Sequence, residues 1–282
     1  MGLRSVLVEK SKKIQLAQEE IYILEVDAEK DIVEQGLGSL REIQIAALEN
    51  EIIPARYLRN YGTIGKDGQL KLLKAKVVVA GAGGLGGWII ETLARIGVGE
   101  LTVIDGDVFE DNNLNRQLFC TEYNLGEGKA EAAKRRVANI NGAVEVEAQA
   151  IWLREENVRG VLADARVVVD ALDNLPTRFL LQDEAGKMQI PFVHGAIGGY
   201  QGQVMTVMPE DKGLDLIYPG GRQGREKGVE TLLGNPATTP IITASWQAQE
   251  VVKIILGQGE LIRNKLLYLD ALNGVAEVLT LI

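Results

Sequence analysis

Apolar runs alternate with amphipathic stretches from Leu72 to the end of the chain. LKAKVVVAGAG, ELTVID and ARVVVDALDN contain nearly unbroken apolar runs, which are typical of strands buried on both faces of a sheet. GLGGWIIETLARIG and PTRFLLQDEAGKM are predicted helices, because glycines close the first and a proline opens the second. Strands that alternate with helices predict an α/β fold with a Rossmann-like, doubly wound and mostly parallel sheet.

The pattern changes towards the C-terminus. IPFVHGAI and GYQGQVMTVMP are predicted strands, and KLLYLDALNGVAEVLTLI is a predicted hairpin turned at Asn273–Gly274. Because short turns join these strands, we expect an antiparallel C-terminal edge of the sheet. Residues 209–240 form a long Gly/Pro-rich connection, the crossover segment, before the predicted helix TASWQAQEVVKIILG.

Residues 1–55 have a different pattern from the rest of the chain. They contain charged, helix-favouring runs such as EKSKKIQLAQEE and SLREIQIAALENEI, and their apolar residues recur at roughly helical spacing. We therefore predict a helical N-terminal arm at 1–55 that packs on its own or a partner subunit, with a recognition role as the alternative. The second predicted domain covers residues 56–282.

Composition excludes several classes of function. A net charge of −9 argues against sequence-independent nucleic-acid binding, which depends on Lys and Arg neutralising phosphates. One cysteine and one histidine cannot form an intramolecular disulfide or a Cys/His zinc site. No apolar run is long enough to span a bilayer, and the N-terminus has no signal-peptide core. We expect a cytoplasmic protein with no membrane or nucleic-acid partner and no structural zinc.

The segment GAGGLG at 81–86 follows a predicted strand and begins a predicted helix. Glycines at 81, 83 and 84 permit a tight turn in which backbone N–H groups face phosphates. Asp105 ends the next strand, 24 residues after Gly81, where a carboxylate can accept hydrogen bonds from ribose hydroxyls. This pattern predicts a nucleotide site but is equally compatible with NAD, FAD and ATP.

The polar segment DNNLNRQLF at 111–119 favours chemistry on a triphosphate. Arg116 stays protonated and offers a planar fork to phosphate oxygens, and Asn113 lies three residues before it. Lys129 follows a Gly–Glu–Gly turn and could supply a second cation. An NAD-dependent oxidoreductase, the alternative enzyme class, would leave these three residues without a role.

Another pair of polar residues ends the strand VVVDALDN. Asp173 and Asn174 lie at the edge of the sheet where ligands bind in this fold, and a carboxylate there could hold Mg²⁺.

Six segments in this order resemble the ThiF/MoeB/HesA family, the bacterial relatives of the ubiquitin-activating enzymes. They are RYLRN at 56–60, GAGGLG, IDGD, NNLNRQ, GEGK and ALDN, and the resemblance covers residues 56–282. It implies an ATP- and Mg²⁺-dependent adenylyltransferase. Its substrate would be the C-terminal glycine carboxylate of a small ThiS- or MoaD-like β-grasp sulfur-carrier protein ending in Gly–Gly, and pyrophosphate would be released.

The resemblance also implies roles for individual residues. It predicts nucleotide contacts for Gly81, Gly83, Gly84, Asp105, Asp107, Asn112, Asn113, Arg116, Gln117, Lys129, Asp173 and Asn174. Among these, Arg116, Lys129 and Asp173 would be catalytic, and Asp173 would bind Mg²⁺ or orient the phosphates. Arg59 would enter the neighbouring subunit's site as an arginine finger, so a homodimer is expected.

The sequence departs from the family pattern in its cysteines. Many members carry a reactive cysteine in the crossover segment and two CxxC pairs that hold zinc, and this sequence has neither. We therefore expect adenylation without a thioester cysteine, with sulfur or another nucleophile delivered by a different protein. Cys120 is predicted to be a small buried hydrophobe, and His194 a structural residue.

Two other readings remain open at this stage. The substrate could be another carboxylate, on a peptide tail or a modified tRNA base, although the negative net charge weighs against tRNA. The chain could also be a scaffold that keeps the fold without catalysis.

Overall fold

A computed structural model describes residues 2–223 and 233–282. The N-terminal part contains three helices and a small three-stranded sheet. Its elements are α1 (Leu3–Lys10), β1 (Lys12–Leu16), β2 (Glu19–Leu24), α2 (Val26–Glu34), α3 (Leu40–Glu49) and β3 (Ile52–Pro54). Strand β2 lies in the middle, antiparallel to β1 and parallel to β3. We call residues 2–55 the N-terminal unit.

The predicted helical arm is therefore only partly correct. The three helices are present, and α3 begins with a capping box between Ser39 and Glu42. Residues 12–24, however, form a β-hairpin. In β2 the side chains of Ile21 and Ile23 are buried while Tyr22 between them is exposed, which is the period of two of a strand. The many charged residues around this short alternation made it look like a surface helix.

The rest of the chain forms an eight-stranded sheet. The strands are β4 (Lys76–Ala80), β5 (Glu100–Ile104), β6 (Glu145–Gln149), β7 (Val167–Asp170), β8 (Phe192–Gly198), β9 (Gln201–Val207), β10 (Lys265–Asp270) and β11 (Val275–Thr280). Their order in the sheet is β11-β10-β9-β8-β7-β4-β5-β6. The pairs from β6 to β8 are parallel, and those from β8 to β11 are antiparallel. The predicted fold class, including the antiparallel C-terminal edge, is confirmed.

Helices cover both faces of this sheet. They are α4 (Tyr61–Leu73), α5 (Gly84–Ile96), α6 (Lys129–Ile140), α7 (Glu155–Val161), α8 (Leu175–Lys187) and α9 (Thr238–Leu256). Val77 and Val79 of β4 pack in a core with residues of α5, α6 and α9, whereas Val78 packs with residues of α7 and α8. Because both faces of β4 are buried, its sequence after Lys76 is a continuous apolar run. Among the described residues, no helix is long and apolar enough to cross a membrane.

The strand order reverses at β4, which lies between β5 and β7. In an open α/β sheet, the loops on either side of such a switch point diverge and leave a crevice at the carboxyl ends of the strands. The glycine loop after β4 and the loops after β5 and β7 therefore meet at one place.

A buried polar cluster joins the N-terminal unit to the main domain. The Tyr57 hydroxyl donates to Gln44 Oε1 at 3.1 Å and accepts from Asn141 Nδ2 at 2.9 Å. Gln44 Nε2 in turn donates to the carboxylate of Glu29 at 2.9 Å, and Arg56 donates to Asn141 Oδ1 at 2.7 Å. Burial raises the pKa of the Glu29 carboxyl. The N-terminal unit is thus attached to the segment at which the family resemblance begins.

Candidate active site

A cleft lies at the switch point of the sheet. It contains about 1020 Å³ of space, part of it open to solvent. Ten of the thirteen predicted site residues line it: Gly81, Gly83, Gly84, Asp105, Asp107, Arg116, Gln117, Lys129, Asp173 and Asn174. The contacts of these residues with a nucleotide stay predictions. The fold nevertheless brings the ten residues from five different loops and helices to one cleft.

Close packing around the glycine loop explains its composition. Gly81 has a φ of +99°, and a Cβ there would collide with the backbone carbonyl of Ala171 after β7. A Cβ on Gly86 would overlap the carbonyl oxygen of Gly81, so α5 begins directly against the loop. No side chain of the described residues caps the N-terminus of α5 at Gly83. The first N–H groups of this helix are therefore available to an anion.

Asp105 connects two loops of the cleft. Its Oδ2 accepts a hydrogen bond from the Ala82 N–H at 2.7 Å, and its Oδ1 accepts from the Asp107 N–H at 2.8 Å. Burial raises the pKa of the Asp105 carboxyl, while the two backbone hydrogen bonds act in the opposite direction. The side chain thus holds the glycine loop in place, in addition to the ribose contact predicted for it.

Lys129 lies in the cleft at the first position of α6. Its side chain is buried, and Nζ is 3.0 Å from Asp107 Oδ2. Its backbone N–H donates to the Asp107 carbonyl, also at 3.0 Å. A half-exposed carboxylate is therefore the counter-ion that keeps this cation at the wall of the cleft.

Arg116 supplies a second cation to the cleft, and the neighbouring asparagines hold it in place. The Arg116 guanidinium donates to the Asn112 carbonyl at 2.8 Å and to Asn115 Oδ1 at 2.7 Å. Asn113 is buried, and its Oδ1 accepts from the Glu110 N–H at 3.2 Å. Neither Asn112 nor Asn113 lines the cleft, although both shape the turn that presents Arg116. Their predicted contact with the triphosphate stays a prediction.

Gln117 lies between this turn and the glycine loop. A Cβ built on Gly83 would be 3.5 Å from its Nε2. The side chain is buried, and its Oε1 has no hydrogen-bond partner among residues 2–223 and 233–282. An unsatisfied buried amide oxygen is costly, so its position at the cleft suits the binding of a polar ligand.

Asp173 and Asn174 have separate roles in the structure. Asn174 is the N-cap of α8, and its Oδ1 accepts from the Thr177 N–H at 3.0 Å. Its Nδ2 donates to Asp173 Oδ1 at 3.3 Å. The Asp173 carboxylate is exposed in the cleft.

The donor set of the cleft is compatible with Mg²⁺. The described part of the chain contains no group of three or more His, Cys, Asp or Glu side chains that could hold a metal ion. Mg²⁺ in nucleotide sites is usually held by one or two carboxylates together with substrate phosphates. Asp173 fits that arrangement.

Arg59 does not line the cleft of its own chain. It is exposed, in the turn between the 3₁₀ helix Ala55–Tyr57 and α4. The predicted homodimer and the contact of Arg59 with a partner subunit stay predictions.

The sequence analysis did not single out Trp152 and Arg178, which also line the cleft. Trp152 follows β6 and lines the cleft with its side chain 58% exposed, directly against Gly106. Arg178 is a buried cation in the first turn of α8. Trp152 could have been noticed as a large aromatic residue just beyond a strand end. Arg178 could not, because a cation on a predicted helix normally lies on its solvated face.

Cys120 and His194 are both buried, Cys120 as predicted and His194 among polar partners and not in the apolar setting expected from its sequence neighbours. Cys120 is buried, and burial raises the pKa of its thiol. His194 is fully buried on β8, and its Nδ1 lies 2.7 Å from Asp170 Oδ2.

Comparison with known proteins agrees with this architecture. The chain is 39% identical over 214 residues to the SAMP-activating enzyme E1 of Haloferax volcanii, covering 76% of this chain and 79% of the relative. It is 37% identical over 229 residues to the sulfur carrier protein adenylyltransferase of Thermus thermophilus, covering 77% and 82%.

Solved structures show the same fold at lower identity. E. coli MccB in complex with AMPCPP and MccA matches with a TM-score of 0.69 and 21% identity, covering 90% of this chain and 77% of that one. PaaA matches with a TM-score of 0.68 and 21% identity, covering 80% and 82%. The sequence model of the ThiF family matches residues 57–281. The chain therefore belongs to the ThiF family.

Proposed function

We propose that this protein uses ATP to adenylate the C-terminal glycine carboxylate of a small β-grasp carrier protein and releases pyrophosphate. The observation that carries the proposal is the composition of one cleft. It combines a glycine loop at a helix N-terminus, the cations Arg116 and Lys129, and the exposed carboxylate of Asp173. A site that only holds an intact dinucleotide needs backbone amides but not this additional charge.

The chemistry follows from the charges of the reactants. An oxygen of the substrate carboxylate attacks the α-phosphorus, and the bond from this phosphorus to the oxygen that bridges to the β-phosphate breaks. Carboxylate and phosphate are both anions, so Arg116 and Lys129 lower the repulsion between them and stabilise the departing pyrophosphate. The carboxylate is already ionised, and no general base is required.

Asp173 is the residue that would hold Mg²⁺ together with phosphate oxygens. When bound, Mg²⁺ supplies charge neutralisation on the phosphates. The chain's own contribution is to place the Asp173 carboxylate at the end of β7 by means of the capped first turn of α8.

The names of two relatives support the choice of substrate. One is a SAMP-activating enzyme, and another is an adenylyltransferase of a sulfur carrier protein. The thiol of Cys120 is buried and its pKa is raised by burial, which favours a reaction that ends at the adenylate on this chain. A separate protein would then provide the sulfur or other nucleophile.

We further propose that the enzyme is a homodimer in which Arg59 acts in trans. Its exposure, away from the cleft of its own chain, supports a contact with the second subunit. The cytoplasmic location stays a prediction.

ATP–pyrophosphate exchange tests the function directly. The assay uses a panel of β-grasp carriers that end in Gly–Gly, with wild type beside Asp173→Ala and Arg116→Ala. The matched controls are Asp67→Ala and Arg154→Ala, because both side chains are mostly exposed. Carrier-dependent exchange that only the two cleft variants lose is the expected result. Absence of exchange with every carrier, or equal loss in the controls, would contradict the proposal.

Mixing inactive subunits tests the dimer. Arg59→Ala and Asp173→Ala should each be inactive alone. Random mixing should restore on the order of a quarter of the wild-type activity, since half of the dimers are mixed and each has one intact site. No recovery after verified subunit exchange would exclude action of Arg59 in trans.

A further inference from the structure

A second cleft adjoins the nucleotide cleft. The two share Asp173 and Arg178, and the second cleft is also lined by Gln203 of β9, Tyr218 of the crossover segment and Tyr268 of β10. It contains about 700 Å³ of space, part of it open to solvent. A ligand in the second cleft would therefore reach the nucleotide cleft beside Asp173 and Arg178.

The junction of the two clefts carries one positively and one negatively charged side chain. Arg178 is the one cation among the described residues that line the second cleft, and its side chain is buried. Asp173 is an anion at the same junction. A substrate carboxylate that approaches the nucleotide must pass this anion, so it needs a local positive charge to arrive there.

Several hydrogen bonds hold the Arg178 guanidinium in position. One terminal nitrogen donates to the Leu172 carbonyl, and the other lies 3.5 Å from the Tyr218 hydroxyl. Arg178 Nε is 3.7 Å from Asp170 Oδ2. That oxygen already accepts from His194 at 2.7 Å, and Asp170 Oδ1 accepts from the Leu172 N–H at 3.0 Å. Asp170 thus balances part of the charge of Arg178 without a close bidentate pair.

His194 orients the tyrosine at the other end of this network. Burial lowers the pKa of the imidazole, so the ring is neutral. Because Nδ1 faces a carboxylate oxygen, it carries the proton, and Nε2 is left as an acceptor. The Tyr218 hydroxyl and Gln203 Nε2 each lie 3.3 Å from Nε2. The Asp170–His194 pair thereby positions Tyr218, and Tyr218 contacts Arg178.

We propose that Arg178 is the residue that recognises the carboxylate end of the substrate where the second cleft meets the nucleotide cleft, with Asp170, His194 and Tyr218 as positioning residues. The assignment rests on the adenylation proposed above. Arg178 has five N–H donors in a planar fork, which suits a carboxylate better than a lysine ammonium does. A substrate with a neutral C-terminus would gain nothing from this buried charge.

The test compares two forms of one carrier protein. The probe is the carrier that supports exchange with the wild-type enzyme, prepared with its natural C-terminal carboxylate and with a C-terminal amide. The dissociation constant of each form is measured by calorimetry. Wild type should bind the carboxylate form roughly ten- to hundredfold more tightly, the range expected for a charge-assisted hydrogen-bonded pair.

Arg178→Gln should reduce this ratio to about one. Arg178→Lys keeps the charge without the fork and should retain part of the ratio. If the glutamine variant does not fold, the ratio is measured on Arg178→Lys alone and should fall below that of the wild type. Lys187→Gln is the matched control, since Lys187 is an exposed cation in the last turn of the same helix and should leave the ratio unchanged.

The results separate the possibilities. A carboxylate-to-amide ratio that persists in Arg178→Gln, or equal weakening of both forms, would overturn the assignment, because a purely structural residue affects both forms alike. If no carrier supports exchange with the wild type, the adenylation proposal fails and the assignment fails with it. Exchange by the wild type together with an unaltered ratio in the variant would overturn the assignment and leave the adenylation proposal intact.

Discussion

Gly86→Ala should damage both the stability of the protein and its nucleotide site. A Cβ at position 86 would overlap the carbonyl oxygen of Gly81 and lie 2.6 Å from the Gly81 carbonyl carbon. Both atoms belong to the backbone and cannot rotate away as a side chain could. Helix α5 and the glycine loop must therefore move apart, although the loop is also attached to Asp105.

The expected loss of stability follows from two opposing contributions. Overpacking against rigid atoms costs about 3 kcal/mol, the upper end of the usual range, and the better helix propensity of alanine returns about 1 kcal/mol. A net loss of about 2 kcal/mol lowers Tm by roughly 3–4 °C for a chain of this size. Displacement of the loop should also weaken ATP binding by about tenfold or more.

Gly160→Ala is the matched control for this change. Gly160 lies within helix α7, and a Cβ there would meet no atom within 4 Å. The same substitution should therefore raise stability by about 0.4–1 kcal/mol and leave ATP binding unchanged. Thermal and urea unfolding and ATP calorimetry on both variants make the comparison. Equal stability changes at the two sites, or an undisturbed ATP affinity in Gly86→Ala, would refute the steric argument.

Three further substitutions test other parts of the structure. The pKa of the Glu29 carboxyl is raised in the folded state above its ordinary value of 4.5. Its contribution to the free energy of unfolding is therefore lost as the pH rises from about 4.5 through the folded-state pKa. Urea titrations across this window should show a decline in wild-type stability relative to Glu29→Gln, and parallel pH curves would contradict this. Trp152→Ala should weaken ATP binding by roughly tenfold or more if the exposed ring stacks on the base, with Trp152→Phe retaining most of the affinity in calorimetry. Asn174→Ala should lower the free energy of unfolding by about 1 kcal/mol through loss of the α8 cap, with Asn174→Ser as the conservative control and an unchanged urea midpoint as the contrary result.

Local pattern was sufficient to predict the main architecture. The run VVVA at 77–80 is continuously apolar because helices cover both faces of β4, and this pattern is typical of a buried parallel strand. GAGGLG after this strand and Asp105 after the next predicted a cleft at the carboxyl ends of the strands, because these ends meet at one edge in a parallel sheet. Such features depend on residues close together in the chain.

Tertiary structure decided what depends on distant contacts. Residues 12–24 form a hairpin because Ile21 and Ile23 of β2 find buried partners on one face, which their own spacing in a charged segment did not reveal. The second role of Asp105, which is to hold the glycine loop, depends on the fold because the fold places the Ala82 N–H within hydrogen-bond distance of its carboxylate.

Arg178 is the clearest example of a residue that only the fold could identify. Its sequence neighbours indicate a surface helix, whereas the fold brings together Asp170 of β7, His194 of β8 and Tyr218 of the crossover segment around its guanidinium. A buried cation is stable only with such partners, and they lie up to 40 residues away along the chain. Periodicity reports which face of an element is buried, but the identity of the groups that meet there is set by how the elements pack.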